Sequence, residues 1–174
     1  RLGRPVVAPS ANRSGHVSPT IAQHVLDDLG GRIDLIVDGG PATVGVESTI
    51  VACLDRPMLL RPGGLARQQI EEVLEGPLDD IMAASLDPNT PLAPGMLESH
   101  YAPRARLRLN VDRVNPGEAL LAFGIQMPPG TEHAAIVLNL SPGGDLVEAA
   151  ANLFSDLRTL DQADVATIAV MRVP

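Results

Sequence analysis

Two short segments concentrate the residue types that could hold a small polar ligand. The first, Ala8-Pro9-Ser10-Ala11-Asn12-Arg13-Ser14-Gly15-His16-Val17-Ser18-Pro19-Thr20, sets hydroxyl and amide groups between a strand-like stretch and a helix start. Loops of that kind at the carboxyl edge of a sheet bind ligands in α/β proteins, because exposed helix N–H groups attract phosphate or carboxylate. Ser10, Asn12 and Ser18 are its candidate contacts, although a capped turn in which these side chains satisfy backbone groups accounts for them without a ligand. The second, Asp38-Gly39-Gly40-Pro41-Ala42-Thr43-Val44-Gly45-Val46-Glu47-Ser48-Thr49-Ile50, brings three glycines close to Ser48 and Thr49 at the start of a strand. Backbone without side chains can approach a ligand closely there. The plainer alternative is a glycine-rich connection with Glu47 in solvent. Arg61, before Pro62-Gly63-Gly64, ends a strand-like run with a guanidinium suited to bidentate phosphate or carboxylate recognition, or to a surface charge.

Further along, His100-Tyr101-Ala102-Pro103 follows Pro94-Gly95-Met96 and contains the single tyrosine. A histidine and a tyrosine in a proline-rich connection could lie across a neighbouring pocket and stack on a base, or pin the connection to a domain surface. His16, His24 and His133 have no partner at metal-ligand spacing and read as ordinary positions. Ser141-Pro142-Gly143-Gly144-Asp145 lacks the phosphate-loop patterns and reads as a helix cap. No G-x-S-x-G occurs, so a hydrolase reading is weak. Cys53 is alone, which excludes a disulfide framework and a multi-cysteine zinc site.

The elements that must position these groups follow from pattern. The 174 residues are 45% hydrophobic and 20% charged, with no apolar run long enough to cross a bilayer. All 13 basic residues are arginines and the net charge is -8, which disfavours nonspecific attraction to nucleic acid or anionic lipid. Without lysine there is no Walker-type phosphate lysine and no Schiff base. Residues 77–103 carry no arginine, 4 acids and five prolines, the signature of an extended linker. It separates a first domain, residues 1–76, from a second, residues 104–174. In the first, Ser18-Pro19 predicts an N-cap for a helix over Thr20 to Leu29 stopped by Gly30-Gly31. Pro5 to Ala8, Ile33 to Val37, Thr49 to Leu54 and Met58 to Arg61 read as strands, and a second helix presents Ile70, Val73 and Leu74 on one face. In the second, Ala119 to Phe123, Ala135 to Leu140 and Val165 to Val170 read as strands, with a helix between Ser141 and Leu160. The expectation is α/β with at least one right-handed parallel crossover. The absence of an initiator methionine, and strand-like residues near both ends, suggest a fragment; no signal peptide is visible, and a reducing cytoplasm is the default.

Taken together, S-A-N-R-S-G-H-V-S-P-T, D-G-G-P-A-T-V-G-V-E-S-T-I-V, L-L-R-P-G-G and P-G-M-L-E-S-H-Y-A-P, in this order, resemble the YrdC-like threonylcarbamoyl-AMP synthases of the two-domain type. The likeness is close from residue 1 to about 110, and Ser141 to Val173 also looks like that type's second domain. It implies the C-terminal part of a YrdC-like twisted-sheet α/β domain, a proline-rich linker and a small Rossmann-like α/β domain. It also implies a nucleotidyltransferase that condenses L-threonine, bicarbonate or carbon dioxide and ATP, with Mg²⁺, into threonylcarbamoyl-AMP and pyrophosphate. A downstream threonylcarbamoyl-transferase complex then modifies an adenosine beside the tRNA anticodon, and the family allows contact with double-stranded RNA or tRNA. By resemblance, Ser10, Asn12 and Ser18 line the nucleotide and threonine pocket, Ser48 contacts the threonine carboxylate with Thr49 beside it, Arg61 contacts ATP phosphate, and His100 and Tyr101 cover the nucleotide. The family's N-terminal lysine and arginine residues have no counterpart here, nor does the end of the second domain, so the resemblance implies part of a pocket and a chain inactive alone. An RNA-binding module is disfavoured by the charge of -8 and by only two phenylalanines and one tyrosine. A carbamoyl-transferring domain like that of hydrogenase-maturation proteins is disfavoured by the H-Y-A-P segment and the α/β second domain.

Overall fold

Ala119-Leu120-Leu121-Ala122 carries no polar residue on either side of its pleat, a pattern stable only in a strand covered on both faces. In the computed structural model, which describes residues 3–80 and 103–174, the elements run in chain order α1 (Ala22–Leu29), β1 (Ile50–Ala52), β2 (Met58–Arg61), α2 (Arg67–Leu74), β3 (Asp79–Asp80), β4 (Arg106–Arg108), β5 (Ala119–Ala122), β6 (Ile136–Asn139), α3 (Leu146–Gln162) and β7 (Thr167–Val170). The strand at 119–122 is β5, and its four residues are at most 1% exposed. It sits inside a four-stranded sheet of order β4-β7-β5-β6 in which every pairing is parallel. From β6 the chain returns through α3 to β7, passing over β5, the crossover connection that parallel neighbours require.

Helix α3 closes one face of this sheet. Ala149, Leu157 and Leu160 pack with Ala119, Leu121, Leu140 and Ile168, and Leu153 and Phe154 lie against that cluster. The other face is sealed by Val111 and Val114 against Leu120, Ala122 and Ala169. The Ser141–Asp145 segment does cap α3: one Asp145 carboxylate oxygen accepts from the amides of Val147 at 2.7 Å and Glu148 at 3.2 Å. Two of the helix's otherwise unpaired N–H groups are thereby satisfied.

The first half is built on a smaller sheet, β1-β2-β3. Strand β1 is antiparallel to β2, with a register shift between Ile50 and Val51, and β2 runs parallel to β3. Asp79 and Asp80 therefore join this sheet rather than opening the connection, and Leu78 beside them is buried.

Four expectations for the first half are corrected. Ser18 does not cap α1, which starts at Ala22 with Ile21 at the N-cap and no side-chain cap. The Ser18 hydroxyl is bonded to Glu47 instead, and the Thr20 amide is satisfied by His24 Nδ1 at 3.2 Å. Ile33 to Val37 and Pro5 to Ala8 form no strand; Leu35 is 77% and Val7 96% exposed, and neither segment is paired with a strand among the described residues, the hydrogen bonding that β structure requires. The apolar positions of α2 are not a core face, since Val73 and Leu74 are exposed. Polar bonds hold that helix: the Arg67 guanidinium donates to Glu71 at 3.2 Å and to the Leu78 carbonyl at 2.8 Å, and Glu71 accepts from the Leu78 amide at 2.9 Å.

Candidate functional site

The two segments singled out by composition face each other. Ser10, Ala11, residues 18–22 and Val25 on one side and residues 36–40 and 42–47 on the other line a cavity of about 600 Å³ whose polar lining includes Ser10, Ser18, Thr20, Asp38 and Glu47, and not Asn12, Ser48, Thr49 or Arg61. Its wall is completed by Phe154 from α3, so the second half of the chain contributes to it.

A polar chain ties the two segments together. The buried Ser18 hydroxyl donates to Glu47, whose carboxylate lies 3.6 Å from the Arg61 guanidinium. Arg61 in turn donates through Nε at 3.0 Å and Nη2 at 2.8 Å to the Ser48 carbonyl, and through Nη2 at 3.0 Å to the Ser48 hydroxyl. Glu47 and Arg61 side chains are only 20% and 13% exposed, so their 3.6 Å approach lies largely out of bulk water, where an unpartnered polar group is costly. The strand end before Pro62 supplies the arginine, and the turn after it holds the partner segment by a Gly64 amide bond to the Glu47 carbonyl at 2.8 Å. Gly63 makes that approach possible, since a Cβ there would lie 2.4 Å from the Glu47 carbonyl oxygen and the Thr49 nitrogen.

The remaining candidates separate from this group. Asn12 donates its side-chain amide to the His16 carbonyl at 2.9 Å, the local turn role that asparagine commonly takes. The Thr49 hydroxyl donates to the Leu65 carbonyl at 2.7 Å and accepts from the Leu65 amide at 3.1 Å, which commits it to the backbone. His100 and Tyr101 lie outside the described residues. The alternative that leaves Glu47 in solvent does not hold, since its carboxylate accepts from Ser18, 29 residues away, a partner that the local sequence does not show. Phe154 and Arg158 gave no local signal, because they reach the segments only through tertiary packing.

Behind the Ser18 loop is a second set of charges. Arg158 on α3 donates to the Asp28 carboxylate at 2.6 Å, to the Ser18 carbonyl at 3.4 Å and to the Val17 carbonyl. Burial pushes the Asp28 carboxyl up, but the Arg158 hydrogen bond and charge, the nearby His16 and a main-chain bond from Arg13 outweigh it, and the carboxyl ends below its ordinary range. His24 is held below its ordinary value by burial and then by the Arg158 charge, against the pull of Asp27 and Asp28. Its neutral ring can therefore accept the Thr20 amide bond.

Among the described residues no group of three or more His, Cys, Asp or Glu could hold a metal ion. The two carboxylates at the cavity are already engaged, Asp38 by the Gly40 amide at 2.9 Å and Glu47 by Ser18 and Arg61. The donor set thus does not fit a resident Mg²⁺, and no step is derived through one. No helix among the described residues is long and apolar enough to cross a membrane.

A parallel-sheet α/β layer beside a pocket lined by hydroxyls, glycines and Glu47, with Glu47 in turn braced by Arg61, defines a binder of small polar ligands. Comparison with known proteins narrows this class. Residues 65–174 match the family described as "Threonylcarbamoyl-AMP synthase, C-terminal domain", and residues 1–63 match one described as "Telomere recombination". Threonylcarbamoyl-AMP synthase of Bacillus subtilis is 40% identical over 175 residues, covering 94% of this chain and 50% of that protein. That of Pyrococcus abyssi is 38% identical, covering 95% and 52%. The structure of P. abyssi Sua5 complexed with L-threonine superposes with a TM-score of 0.78 at 34% identity, over 95% of this chain and 52% of that one. A variant of the same protein, with an adjacent histidine and tyrosine changed to alanine, superposes at 0.74 with 32% identity over 95% and 51% of the two chains. The chain belongs to the threonylcarbamoyl-AMP synthase family. It spans about half the length of the first two relatives.

Proposed function

We propose that the protein is an L-threonylcarbamoyladenylate synthase, a nucleotidyltransferase serving threonylcarbamoyladenosine formation in tRNA. The threonine amine adds to the carbon of bicarbonate with loss of water, or to carbon dioxide, giving a carbamate. A carbamate oxygen then attacks the α-phosphorus of ATP, forming threonylcarbamoyl-AMP as pyrophosphate leaves. The observation that carries this reading is a cavity of about 600 Å³ lined by Ser10, Ser18 and Glu47, from which Glu47 connects to Arg61 and Ser48, in a chain similar to a protein whose structure contains L-threonine.

In this reading Ser10 and Ser18 offer hydroxyls to substrate, and the Ser48 hydroxyl, held by Arg61, meets the threonine carboxylate. Asn12 and Thr49 shape their loops through the backbone bonds described above. His100 and Tyr101 cover the nucleotide; the altered His-Tyr pair of the P. abyssi variant supports looking for a role there. Mg²⁺ enters with the ATP phosphates rather than through a cation site among the described residues. A cytoplasmic location suits enzymes whose substrates are ATP and whose product serves tRNA, and a downstream threonylcarbamoyl-transferase complex would consume the adenylate. We also propose that residues beyond this chain complete the pocket, as suits relatives about twice its length.

The test is incubation of the chain, and of the full-length protein, with ATP, Mg²⁺, bicarbonate and threonine, followed by mass spectrometry. Threonine-dependent threonylcarbamoyl-AMP from the full-length protein is expected. Its absence, under conditions where a working synthase makes product, would overturn the reading; equal product from the chain alone would overturn the claim of a partial pocket.

A further inference from the structure

Helix α3 is two-faced. Ala149, Leu153, Leu157 and Leu160 face the parallel sheet, Ala151 and Arg158 meet the first half of the chain, and Phe154, spaced three and four from them and so on the same side of a helix, stands at the seam, packed against the sheet cluster and lining the cavity. At the top of that side, Gly45 has φ +72° and a Cβ on it would stand 2.2 Å from the Ala151 carbonyl oxygen, so the glycine loop rests directly on helix backbone. One turn on, Phe154 lines the cavity. Another turn on, Arg158 is buried to 9% exposure and reaches the Val17 and Ser18 carbonyls and the Asp28 carboxylate.

A buried arginine–carboxylate pair is weak evidence for stability, because desolvation of both charges offsets most of their attraction. What such a pair does fix is geometry, since a planar guanidinium with several donors holds its acceptors at set angles. Here the acceptors are two consecutive carbonyls of the segment that aims the Ser18 hydroxyl at Glu47.

We propose that Arg158 is a positioning residue for the pocket: by clamping the Val17 and Ser18 carbonyls against Asp28, it sets the Ser18 hydroxyl and couples the second domain to substrate binding. The proposal rests on the synthase reading for the identity of the ligand, not for the clamp itself. Arg158→Lys keeps the charge but replaces the fork with a point donor that cannot serve two carbonyls and a carboxylate at once.

In the full-length protein, Arg158→Lys should raise the threonine KM roughly tenfold, the equivalent of one charge-assisted hydrogen bond, with kcat within about twofold. Leu157→Val, at a position packed on the parallel sheet, should lower the melting midpoint without moving that KM. Hydrogen exchange at the amides of Val17, Ser18 and Thr20 should accelerate in Arg158→Lys and not in Leu157→Val. A KM unchanged by Arg158→Lys, or shifted equally by Leu157→Val, overturns the positioning role, as does unchanged exchange at those amides. Were the wild-type protein to make no threonine-dependent product, the synthase reading would fall, and the exchange comparison would still decide the clamp.

Discussion

Replacing Gly63 by alanine tests how closely the turn after β2 is pressed on the site. Its Cβ would meet the Glu47 carbonyl oxygen at 2.4 Å, the Thr49 nitrogen at 2.4 Å and the Ser48 carbonyl carbon at 2.5 Å, where ordinary contacts lie at 3.4–4 Å. All three are main-chain atoms, so no side chain can rotate away and the turn must retreat by about 1 Å. Overpacking of this sort costs about 2 kcal/mol. The retreat also strains the 2.8 Å bond from the Gly64 amide to the Glu47 carbonyl, worth about 1 kcal/mol more. Gly39→Ala is the matched control, because a Cβ at Gly39 has nothing within 4 Å and its φ is not left-handed; it should be neutral or stabilising by about 0.5 kcal/mol through the unfolded state. Urea unfolding followed by far-UV circular dichroism is the assay, since a chain with no tryptophan and one tyrosine gives little fluorescence. A loss of about 3 kcal/mol for Gly63→Ala against none for Gly39→Ala is expected. A difference under about 1 kcal/mol would refute the close approach of the turn to Glu47–Thr49.

Three further outcomes can be measured with the same unfolding assay. The Glu118 carboxyl is lowered to about 2 by its hydrogen bond to Arg108, against burial and with help from Asn115. It therefore stabilises fully above its unfolded value of 4.5 and loses this as pH falls towards 2; Glu118→Gln should cost about 1–2 kcal/mol at pH 7, less than the full shift because Arg108 is partly in water, and flatten that acid limb. His24, lowered from 6.5 mainly by burial, binds fewer protons folded than unfolded, so its contribution is complete above 6.5 and lost as pH falls below it; a His24→Gln variant that kept the wild-type slope just below pH 6.5 would contradict this. Asp145→Ala removes the α3 cap and should cost about 1 kcal/mol, with no change in the acid limb assigned to Glu118.

The second half was legible because its elements depend on burial that sequence pattern records directly. Ala119–Ala122 is apolar at every position and is a buried inner strand, and the period from Ala149 to Leu157 places one face of α3 on the sheet, although Leu146, which fits the same period, is exposed. In the first half the same apolar signal misled at Ile33 to Val37, because a strand needs a partner edge as well as β-branched side chains. Ser18-Pro19 misled for a related reason. A serine before a proline predicts a cap from local chemistry, but a carboxylate 29 residues away offers a stronger, charge-assisted acceptor and takes the hydroxyl. Of the candidate site, composition found the two loops and Arg61, while Glu47 and Arg158 needed tertiary contacts that no window along the chain contains.

Those contacts also change what Arg61 can do. As an isolated residue at a strand end it suits an ATP phosphate, a contact that requires the guanidinium to present parallel N–H groups to the ligand. In the folded chain Nε and Nη2 are directed at the Ser48 carbonyl and hydroxyl, and Glu47 lies 3.6 Å from the same nitrogen. A phosphate approaching Arg61 would have to displace these bonds or add to them, and would meet the Glu47 carboxylate as a like charge. The hydrogen bonds to Ser48 and the approach of Glu47 make Arg61 a brace of the Glu47–Thr49 segment.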